Sequence, residues 1–350
     1  MQVLLPDSEL IGFDRIRTRN YIGKTDPMSA LSRPGMAGLV ERITLPVIAA
    51  PMFLVSGVEL VNATRRSGVI GSLPFPNART TAILDDWLGQ ICRTKDDAGR
   101  ALAPVAANMI THSSYDRLQD ELALLRVHKP DIVITALGGP QPVLDIVHDY
   151  SGLVFADVNS IDFARKAAAL GVDGLVLICS GAGGHTGKIS PFAFVTAVRE
   201  FFDGIIVLGG GIATGGAVRA TEILGADFAY MGTGFIAAEE SMAVDAYRQM
   251  VIDATFNDLV ASSAFTGARA YYLRQSLEAA GYDLDQLGKK DGPDFAKSQN
   301  SIKAWRDLWS AGHGVGSVHA VEPTAQIIAR LRDEYVAACA QQSAYLPNLH

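Results

Sequence analysis

Eight short apolar runs, separated by segments with helical periodicity, constrain this chain more than any other feature of its sequence. The runs begin near Pro46, Gly68, Pro104, Asp131, Gly152, Gly174, Gly204 and Asp227. Strands that alternate with amphipathic helices indicate βαβ units and a parallel sheet. Continuous apolar runs are typical of parallel strands that are buried on both faces. Eight such units in roughly 190 residues favour a closed (β/α)8 TIM barrel over an open doubly wound sheet.

The segments between the runs have the period of amphipathic helices. They predict helices over 58–66, 80–91, 114–127, 161–170, 192–202 and 217–224. Later in the chain, helices are predicted over 237–254 and 323–340, the second with Pro323 in its first turn. We therefore predict four regions: an N-terminal extension over the barrel bottom (1–40), the barrel core (41–240), an α-helical insertion that caps the barrel mouth (241–310, mobile near 288–300), and a return segment with the C-terminal helix (311–350).

The charge and composition of the chain argue against several classes of protein. With 350 residues and 49% hydrophobic content, the chain can bury a sizeable core. A formal net charge of −7 argues against nucleic acid or an anionic membrane as the main partner. No apolar run is long enough for a membrane span, and the first residues lack the core of a signal peptide. The three cysteines show no CxxC spacing and predict neither a disulfide framework nor a metal site, so we expect a cytoplasmic protein. The sequence leaves the oligomeric state open, with a homodimer as one option.

Three glycine-rich turns follow the last three predicted strands. The first turn carries His185, the second contains the triple glycine 209–211, and the third is Gly232 followed by Thr233. Glycine allows a positive φ and lets backbone N–H groups approach a ligand closely. A (β/α)8 barrel commonly holds a phosphate on the loops after its seventh and eighth strands and on the N-terminus of a short helix. The turns therefore predict a ligand that carries a phosphate, with His185 on the neighbouring loop.

Together these motifs resemble those of the nitronate monooxygenase family, formerly called 2-nitropropane dioxygenases. The matching segments are LPVIAAPM at the first strand, AAN at the third, AGGHTG, GGGIATGGAV, GADFAYMGTGF and WSAGHGVG, in one order over residues 42–320. The resemblance implies a barrel that binds FMN without a covalent link. It also implies an oxidoreductase whose partners are a small-molecule substrate and O2.

The resemblance further implies which residues contact the FMN. Pro51 and Met52 match the end of the first strand, whose backbone lies along the flavin ring in the family. Asn108 ends the third strand, where an amide can pair with flavin or ribityl groups. The other implied contacts lie in the glycine turns and the return segment: Gly184, Gly209, Gly210, Gly211, Gly232, Thr233 and Ser310. The alternative interpretation is structural, with Met52 in the core and the glycines in ordinary tight turns.

His185 matches the active-site histidine of the family. Imidazole titrates near neutral pH, which suits a base that removes the α-proton of a nitroalkane, whereas an anionic nitronate needs only a hydrogen bond. His313 stands where glutamine is often found, and it either adds a second titratable group near the substrate or replaces a hydrogen bond. Asp157 occupies a strand end where several relatives carry lysine or a neutral residue. A carboxylate there is unfavourable beside a reduced flavin unless it is paired or points away. Cys179 is interpreted as a buried core cysteine.

The leading hypothesis is the FMN-dependent oxidation of alkyl nitronates or nitroalkanes by O2, which gives a carbonyl compound and nitrite. An alternative is an NAD(P)H-dependent flavin reductase that acts on quinones or on an enoyl thioester, because AGGHTGKIS also resembles the enoyl reductases of this superfamily. A third hypothesis is a phosphate-ligand binder without catalysis. A Rossmann dinucleotide site is disfavoured, because Thr214 stands where the third glycine of that motif belongs.

Overall fold

A computed structural model of the chain describes residues 32–265, 267–284 and 308–345. Eight parallel strands close into a barrel in chain order, and the last strand pairs with the first. The predicted (β/α)8 barrel is therefore confirmed, and each of the eight apolar runs forms one of its strands. The barrel strands are β1 Val47–Ala49, β2 Ile70–Pro74, β3 Val105–Ile110, β4 Ile132–Ala136, β5 Leu153–Val158, β6 Gly174–Ile178, β8 Ile205–Gly209 and β9 Phe228–Met231, while β7 Gly184–His185 lies in the loop after β6.

All six helices predicted between the barrel strands are present. The helices are α1 Met36–Val40, α2 Val58–Arg66, α3 Thr81–Arg93, α4 Leu118–His128, α5 Leu144–Asp149, α6 Ile161–Ala169, α7 Pro191–Arg199, α8 Gly215–Ile223, α9 Thr233–Ile236, α10 Asp245–Asp253, α11 Arg274–Ala279 and α12 Thr324–Tyr345. Short 3-10 helices cover Phe75–Asn77, Phe256–Asp258 and His313–Ser317. In the described part of the chain, no helix combines the length and apolar character that a membrane crossing requires.

The prediction of one helix over 237–254 is wrong in its first half. The helix α10 begins only at Asp245, because Ala238 forms a β-bridge with Glu322 and Val244 has an extended backbone. A residue that pairs with a distant segment cannot also continue a helix. The C-terminal helix α12 is present where it was predicted, and it packs Ile327, Ile328 and Leu331 into the core.

The interior of the barrel is apolar over most of its depth. Alternate residues of the strands point inward, and the fully buried Ile48, Ile134, Phe155 and Phe228 belong to one interior cluster. The same cluster includes Met36 and Leu39 of α1, so this helix closes the end of the barrel where the strands begin. The packing plugs one end, so a ligand reaches the interior only from the opposite end, the mouth where the strands finish.

The insertion after the barrel is not purely helical. Strands β10 Leu259–Ser262 and β11 Ala270–Leu273 form an antiparallel pair, and β11 also pairs with β7 in the loop of His185. In its described residues, the expected α-helical cap thus contains a β-hairpin as well, with α10 before the hairpin and α11 after it. The runs LVAS and AYYL contain β-branched and aromatic residues that suit strands, and β7 gives β11 a second partner. The segment predicted to be mobile near 288–300 lies outside the described residues.

Candidate active site

The turn after β8 has a backbone that only glycine tolerates without strain. Gly210 has a φ of 147° and Gly211 a φ of 69°. A Cβ atom on Gly210 would lie 2.8 Å from the carbonyl oxygen of Ser180, and one on Gly211 would lie 3.3 Å from the Cβ of His313. Gly209 ends the strand, against the ring of Tyr230. The three glycines thus bring the backbone close to its neighbours at the barrel mouth.

A second turn, after β9, lies beside the first. The side-chain oxygen of Thr233 accepts a hydrogen bond from the backbone N–H of Gly312 at 2.9 Å, and Gly232 lies against Met52 of the β1 loop. Within the described ranges, no acceptor is bonded to the backbone N–H groups of Gly210, Gly211, Thr233 or Gly234. Such unpaired donors at neighbouring turns suit an anion, as predicted for a phosphate.

The N-terminus of the longer helix α8 is already occupied. Its residue Gly215 donates its backbone N–H to the carboxylate Oε2 of Glu334 on α12, at 2.7 Å. Thr214 caps the same helix by accepting the N–H of Ala217. A carboxylate at this position offsets the positive end of the helix dipole. The predicted anion site would therefore depend on the two turns and the short helix α9 rather than on α8.

The loop after β1 is held by a side chain that the sequence analysis did not identify. Asn77 is 4% exposed, and its Oδ1 accepts the backbone N–H of Leu54 at 2.8 Å. Its Nδ2 donates to the carbonyl oxygens of Met52 at 3.0 Å and Ser56 at 2.7 Å. These bonds fix the backbone around Pro51 and Met52 at the barrel mouth. No local pattern in the sequence indicates this role, because the partners are more than twenty residues away.

The loop that carries His185 is tied to both the barrel and the hairpin. The buried side chain of Thr186 donates to the carbonyl oxygen of Cys179 at 3.1 Å, and its backbone N–H donates to the carbonyl of Arg269 at 2.9 Å. A Cβ atom on Gly187 would collide with the carbonyl oxygen of Ile178, so only glycine fits there. Burial lowers the pKa of His185, which favours the neutral imidazole at neutral pH.

The two candidate histidines lie on opposite faces of the small sheet. Ala270 is the direct partner of His185, and residues directly opposite in an antiparallel pair point to the same face. Tyr271, the next residue of β11, therefore points to the other face, where its ring centroid lies 4.9 Å from that of His313. The structure does not bring His185 and His313 together as a pair.

His313 lies between the loop of His185 and the triple-glycine turn after β8. Its backbone N–H donates to the carbonyl of Gly181 at 2.9 Å, and its ring packs edge-on against Phe256 with centroids 4.7 Å apart. A Cβ on Gly181 would lie 2.8 Å from the ring nitrogen Nδ1 of His313. Burial lowers the pKa of His313. These contacts show how the return segment joins the His185 loop to the triple-glycine turn.

Ser310 precedes this segment and is positioned by Tyr247 of α10. The phenol of Tyr247 donates to the carbonyl of Ser310 at 2.5 Å, and its ring stacks on Trp309 with centroids 5.1 Å apart. The hydroxyl oxygen of Ser310 is buried and has no hydrogen-bond partner among the described residues. A buried hydroxyl without a partner is costly unless a ligand or water satisfies it.

A polar layer lies above the apolar interior of the barrel, nearer the mouth. Asn108 on β3 donates its amide to the carbonyl of Ile134 at 3.3 Å. The Oγ of Ser72, the Oδ1 of Asp157 and the phenol oxygen of Tyr230 are buried without a partner in the part of the chain that the structure describes. The sequence analysis did not select Ser72 and Tyr230. The alternation of side chains along a strand could have identified them. Ser72 lies two residues after the inward-facing Ile70, and Tyr230 lies two residues after the inward-facing Phe228, so both also point into the barrel.

Cys179 follows β6 and is fully buried. Burial raises the pKa of its thiol to about 12, so the sulfur is protonated at neutral pH. Its Sγ contacts the carbonyl oxygen of Leu177 at 3.6 Å. A protonated and enclosed thiol is a poor nucleophile, which agrees with the interpretation of Cys179 as a core residue.

Comparisons with known proteins identify the family to which the chain belongs. The family model described as nitronate monooxygenase matches residues 90–334. A nitronate monooxygenase of Paraburkholderia phytofirmans is 25% identical over 340 residues, with 83% of this chain and 92% of the relative covered. A putative monooxygenase of Mycobacterium tuberculosis, Rv1533, is 31% identical over 185 residues, with 52% of this chain and 48% of the relative covered. The chain thus spans about half the length of this second relative.

Two solved structures are similar to the whole fold. FabK from Thermotoga maritima has a TM-score of 0.73 and 23% identity, with 89% of this chain and 99% of that chain covered. A nitroalkane oxidase from Streptomyces ansochromogenes has a TM-score of 0.70 and 22% identity, with 87% and 99% covered. At these identities the two likenesses support the barrel fold alone and leave the chemistry to the residues of the site.

Proposed function

The chain belongs to the nitronate monooxygenase family, and from this premise we propose that it oxidises alkyl nitronates and nitroalkanes with O2 to a carbonyl compound and nitrite. One observation carries the proposal most directly. Two neighbouring glycine turns with unpaired N–H groups and the loop of His185 meet at the same barrel mouth, joined by the return segment at Gly312 and His313. An anion site beside a neutral imidazole is what a flavin-dependent oxidase of acidic C–H substrates requires.

The residues at the mouth fit FMN. The N–H groups of Gly210, Gly211, Thr233 and Gly234 are the donors for its phosphate. A side chain on Gly210 would collide with Ser180 and Cys179 and displace the turn that presents these donors. The loop of Pro51 and Met52 is the surface for the ring. Polar groups that can pair with heteroatoms of the ring and ribityl chain are Asn108, Ser310 and the orphaned oxygens of the polar layer. When bound, FMN supplies the electron transfer between the organic substrate and oxygen.

His185 is the proposed base. Its lowered pKa keeps the imidazole neutral at neutral pH, so a ring nitrogen can accept the α-proton of a nitroalkane. With a nitronate, from which this proton is already gone, the same imidazole serves only to hold the nitro oxygens. The pairing of β7 with β11 fixes the backbone of His185, which preorganises the ring for either role.

The test is oxygen consumption by the FMN-loaded protein with propionate 3-nitronate or a nitroalkane, in the absence of NAD(P)H. The expected result is oxygen uptake together with the formation of nitrite. Free FMN at the same concentration is the control, because it reports the uncatalysed reaction. If neither oxygen uptake nor nitrite exceeds this control with either class of substrate, the proposal is wrong.

The alternative hypothesis, an NAD(P)H-dependent flavin reductase, makes the opposite prediction. Anaerobic mixing with NADH or NADPH would then bleach the bound flavin rapidly, whereas a nitronate oxidase shows slow bleaching with these nucleotides and rapid bleaching with the nitronate. A protein that binds FMN but responds to neither reductant would instead support the hypothesis of a binder without catalysis.

A further inference from the structure

Asp157 is a partly buried acid that the proposed reaction does not use. It lies on β5 two residues after Phe155, which is fully buried in the interior cluster, so both side chains point into the barrel. Asp157 is the nearer of the two to the mouth. Its Oδ1 is sealed from solvent and accepts no hydrogen bond from any described residue. The acid is therefore neither paired nor turned away from the ligand site.

No cation faces this carboxyl among the described residues. Its direct partner on β6 is Val176, and its other neighbouring strand, β4, offers Thr135 and Ala136 at this level. Burial raises the pKa of the Tyr230 phenol on β9, and this phenol is close enough to Asp157 that a negative charge on the carboxyl would raise the pKa further. Other titratable groups that the structure describes at the mouth include His185, His313 and Cys179. Burial disfavours the charged form of each of these three.

A bare carboxylate in this position would be expensive. Moving an ionised acid out of water without a cation or hydrogen-bond donors costs several kcal/mol, and the group takes up a proton instead. Burial raises the pKa of Asp157 to about 7. A protonated carboxyl also changes its hydrogen-bonding role, because it gains an O–H donor. Two further orphaned oxygens of the polar layer, those of Ser72 and Tyr230, can donate as well.

We propose that Asp157 binds the flavin ring as a protonated acid, donating its O–H to an acceptor atom of the ring, so that cofactor affinity weakens as this proton is lost. The inference rests on the proposed function, since it takes the ligand to be a flavin. In the protonated form Asp157 adds no negative charge beside the electron-rich ring, and it satisfies an acceptor that a carboxylate would repel.

The test measures flavin affinity against pH, by quenching of flavin fluorescence, from about pH 5.5 to about 8.5. Riboflavin and FMN are both used, because the phosphate of FMN titrates near pH 6 and riboflavin has none. For the native protein, the Kd for riboflavin should be constant below about pH 7 and rise up to about tenfold per pH unit above it. In Asp157→Asn, whose amide donates at every pH, the Kd should stay flat near the acid value of the native protein.

Asp162→Asn is the matched control, because Asp162 is an exposed acid on α6, outside the barrel. It should reproduce the native pH profile. Equal slopes in the native protein and Asp157→Asn, or a native affinity that does not change with pH, would overturn the inference while leaving the proposed function intact. Failure of native protein to bind either flavin at any pH would overturn both. Unfolding midpoints of the variants check that each is folded under the conditions of the titration.

Discussion

At the barrel mouth, the chemistry depends on a few side chains whose environment differs from water. His185 is kept neutral by burial, and Asp157 lies among groups that cannot stabilise its charge. Asn77 shows the structural counterpart, because one amide satisfies three backbone groups of the β1 loop. The proposed roles of these residues are tested by replacing one polar side chain at a time.

The first prediction concerns His185→Gln. Glutamine keeps a hydrogen-bond donor and acceptor but cannot serve as a base, so turnover of a neutral nitroalkane should fall by about 10²–10⁴-fold. Turnover of the preformed nitronate should fall much less, since no proton has to be removed. In the native protein the base must be unprotonated. Because burial lowers the pKa of His185, the rate with the nitroalkane should fall only at acidic pH, below the range in which histidine ordinarily titrates.

Steady-state oxygen uptake with both substrates across pH checks this prediction. His319→Gln is the control, because His319 is exposed and lies outside the loop of β7. Equal losses with nitroalkane and nitronate in His185→Gln would show that the imidazole positions the substrate and does not act as a base.

The second prediction concerns Asn77→Ala. The substitution leaves the N–H of Leu54 and the carbonyls of Met52 and Ser56 without their side-chain partner, and each buried unpaired group costs about 1–3 kcal/mol. We expect a lower free energy of unfolding in urea and a weaker affinity for FMN, because the loop beneath the ring loosens. The exposed Asn159→Ala should change stability by less than about 0.5 kcal/mol. If Asn77→Ala lowered the stability but left the FMN affinity unchanged, Asn77 would have no role in the cofactor site.

At the scale of elements, short turns and a small sheet build the site. The turns after β8 and β9 place their N–H groups at the mouth, and the β10–β11 hairpin holds the loop of His185 through β7. Helix α8 contributes less than a helix at this position usually does, since Glu334 occupies its N-terminus. In the proposed site, backbone N–H groups rather than charged side chains would therefore bind the anion.

The third prediction compares two glycines six residues apart. Gly210→Ala places a Cβ 2.8 Å from the carbonyl of Ser180 in a backbone with a φ of 147°. Strain of about 1–3 kcal/mol at the turn corresponds to a loss of roughly five- to 150-fold in FMN affinity. Gly216→Ala is the control, because its Cβ would approach nothing closer than 3.9 Å and alanine favours the helix. Identical FMN affinities in the two variants, measured by fluorescence titration, would contradict the proposed anion site.

At the scale of the whole molecule, burial of ionisable groups links global stability to pH. Glu121 of α4 is fully buried, accepts the phenol of Tyr115 at 2.9 Å and lies 2.9 Å from Arg117. Desolvation outweighs these partners and raises the pKa of Glu121 to about 7. The native fold thus holds a proton that the unfolded chain releases near pH 4.5.

The fourth prediction follows from this difference. A carboxyl whose pKa is raised on folding costs stability as pH rises from its unfolded to its folded value. Relative to Glu121→Gln, the native protein should therefore lose on the order of 2–3 kcal/mol between about pH 4.5 and 7. Above that range the difference should be constant. Urea denaturation across pH measures the free energy of unfolding of the native protein, of Glu121→Gln and of the control Glu41→Gln, whose side chain is exposed. If the native protein instead became more stable relative to Glu121→Gln as pH rises, the raised pKa of Glu121 would be contradicted.

The sequence by itself determined the barrel, because side-chain periodicity and glycine placement are local properties. The eight apolar runs became the eight barrel strands, and Thr80, Ser160 and Ser190 cap the helices that follow them through local side-chain hydrogen bonds. The motifs of the three glycine turns also gave the family and the candidate residues of the mouth.

The tertiary structure alone decided how those residues meet. The pairing of β7 with β11, the carboxylate of Glu334 at α8, the role of Asn77 and the unpaired oxygens around Asp157 all join segments far apart in the chain. The helix predicted from 237 begins only at Asp245 for the same reason, since Ala238 pairs with Glu322. Local patterns fix which way a side chain points along its own strand or helix, but the charge, burial and partners that it meets are set by residues brought next to it only when the chain folds.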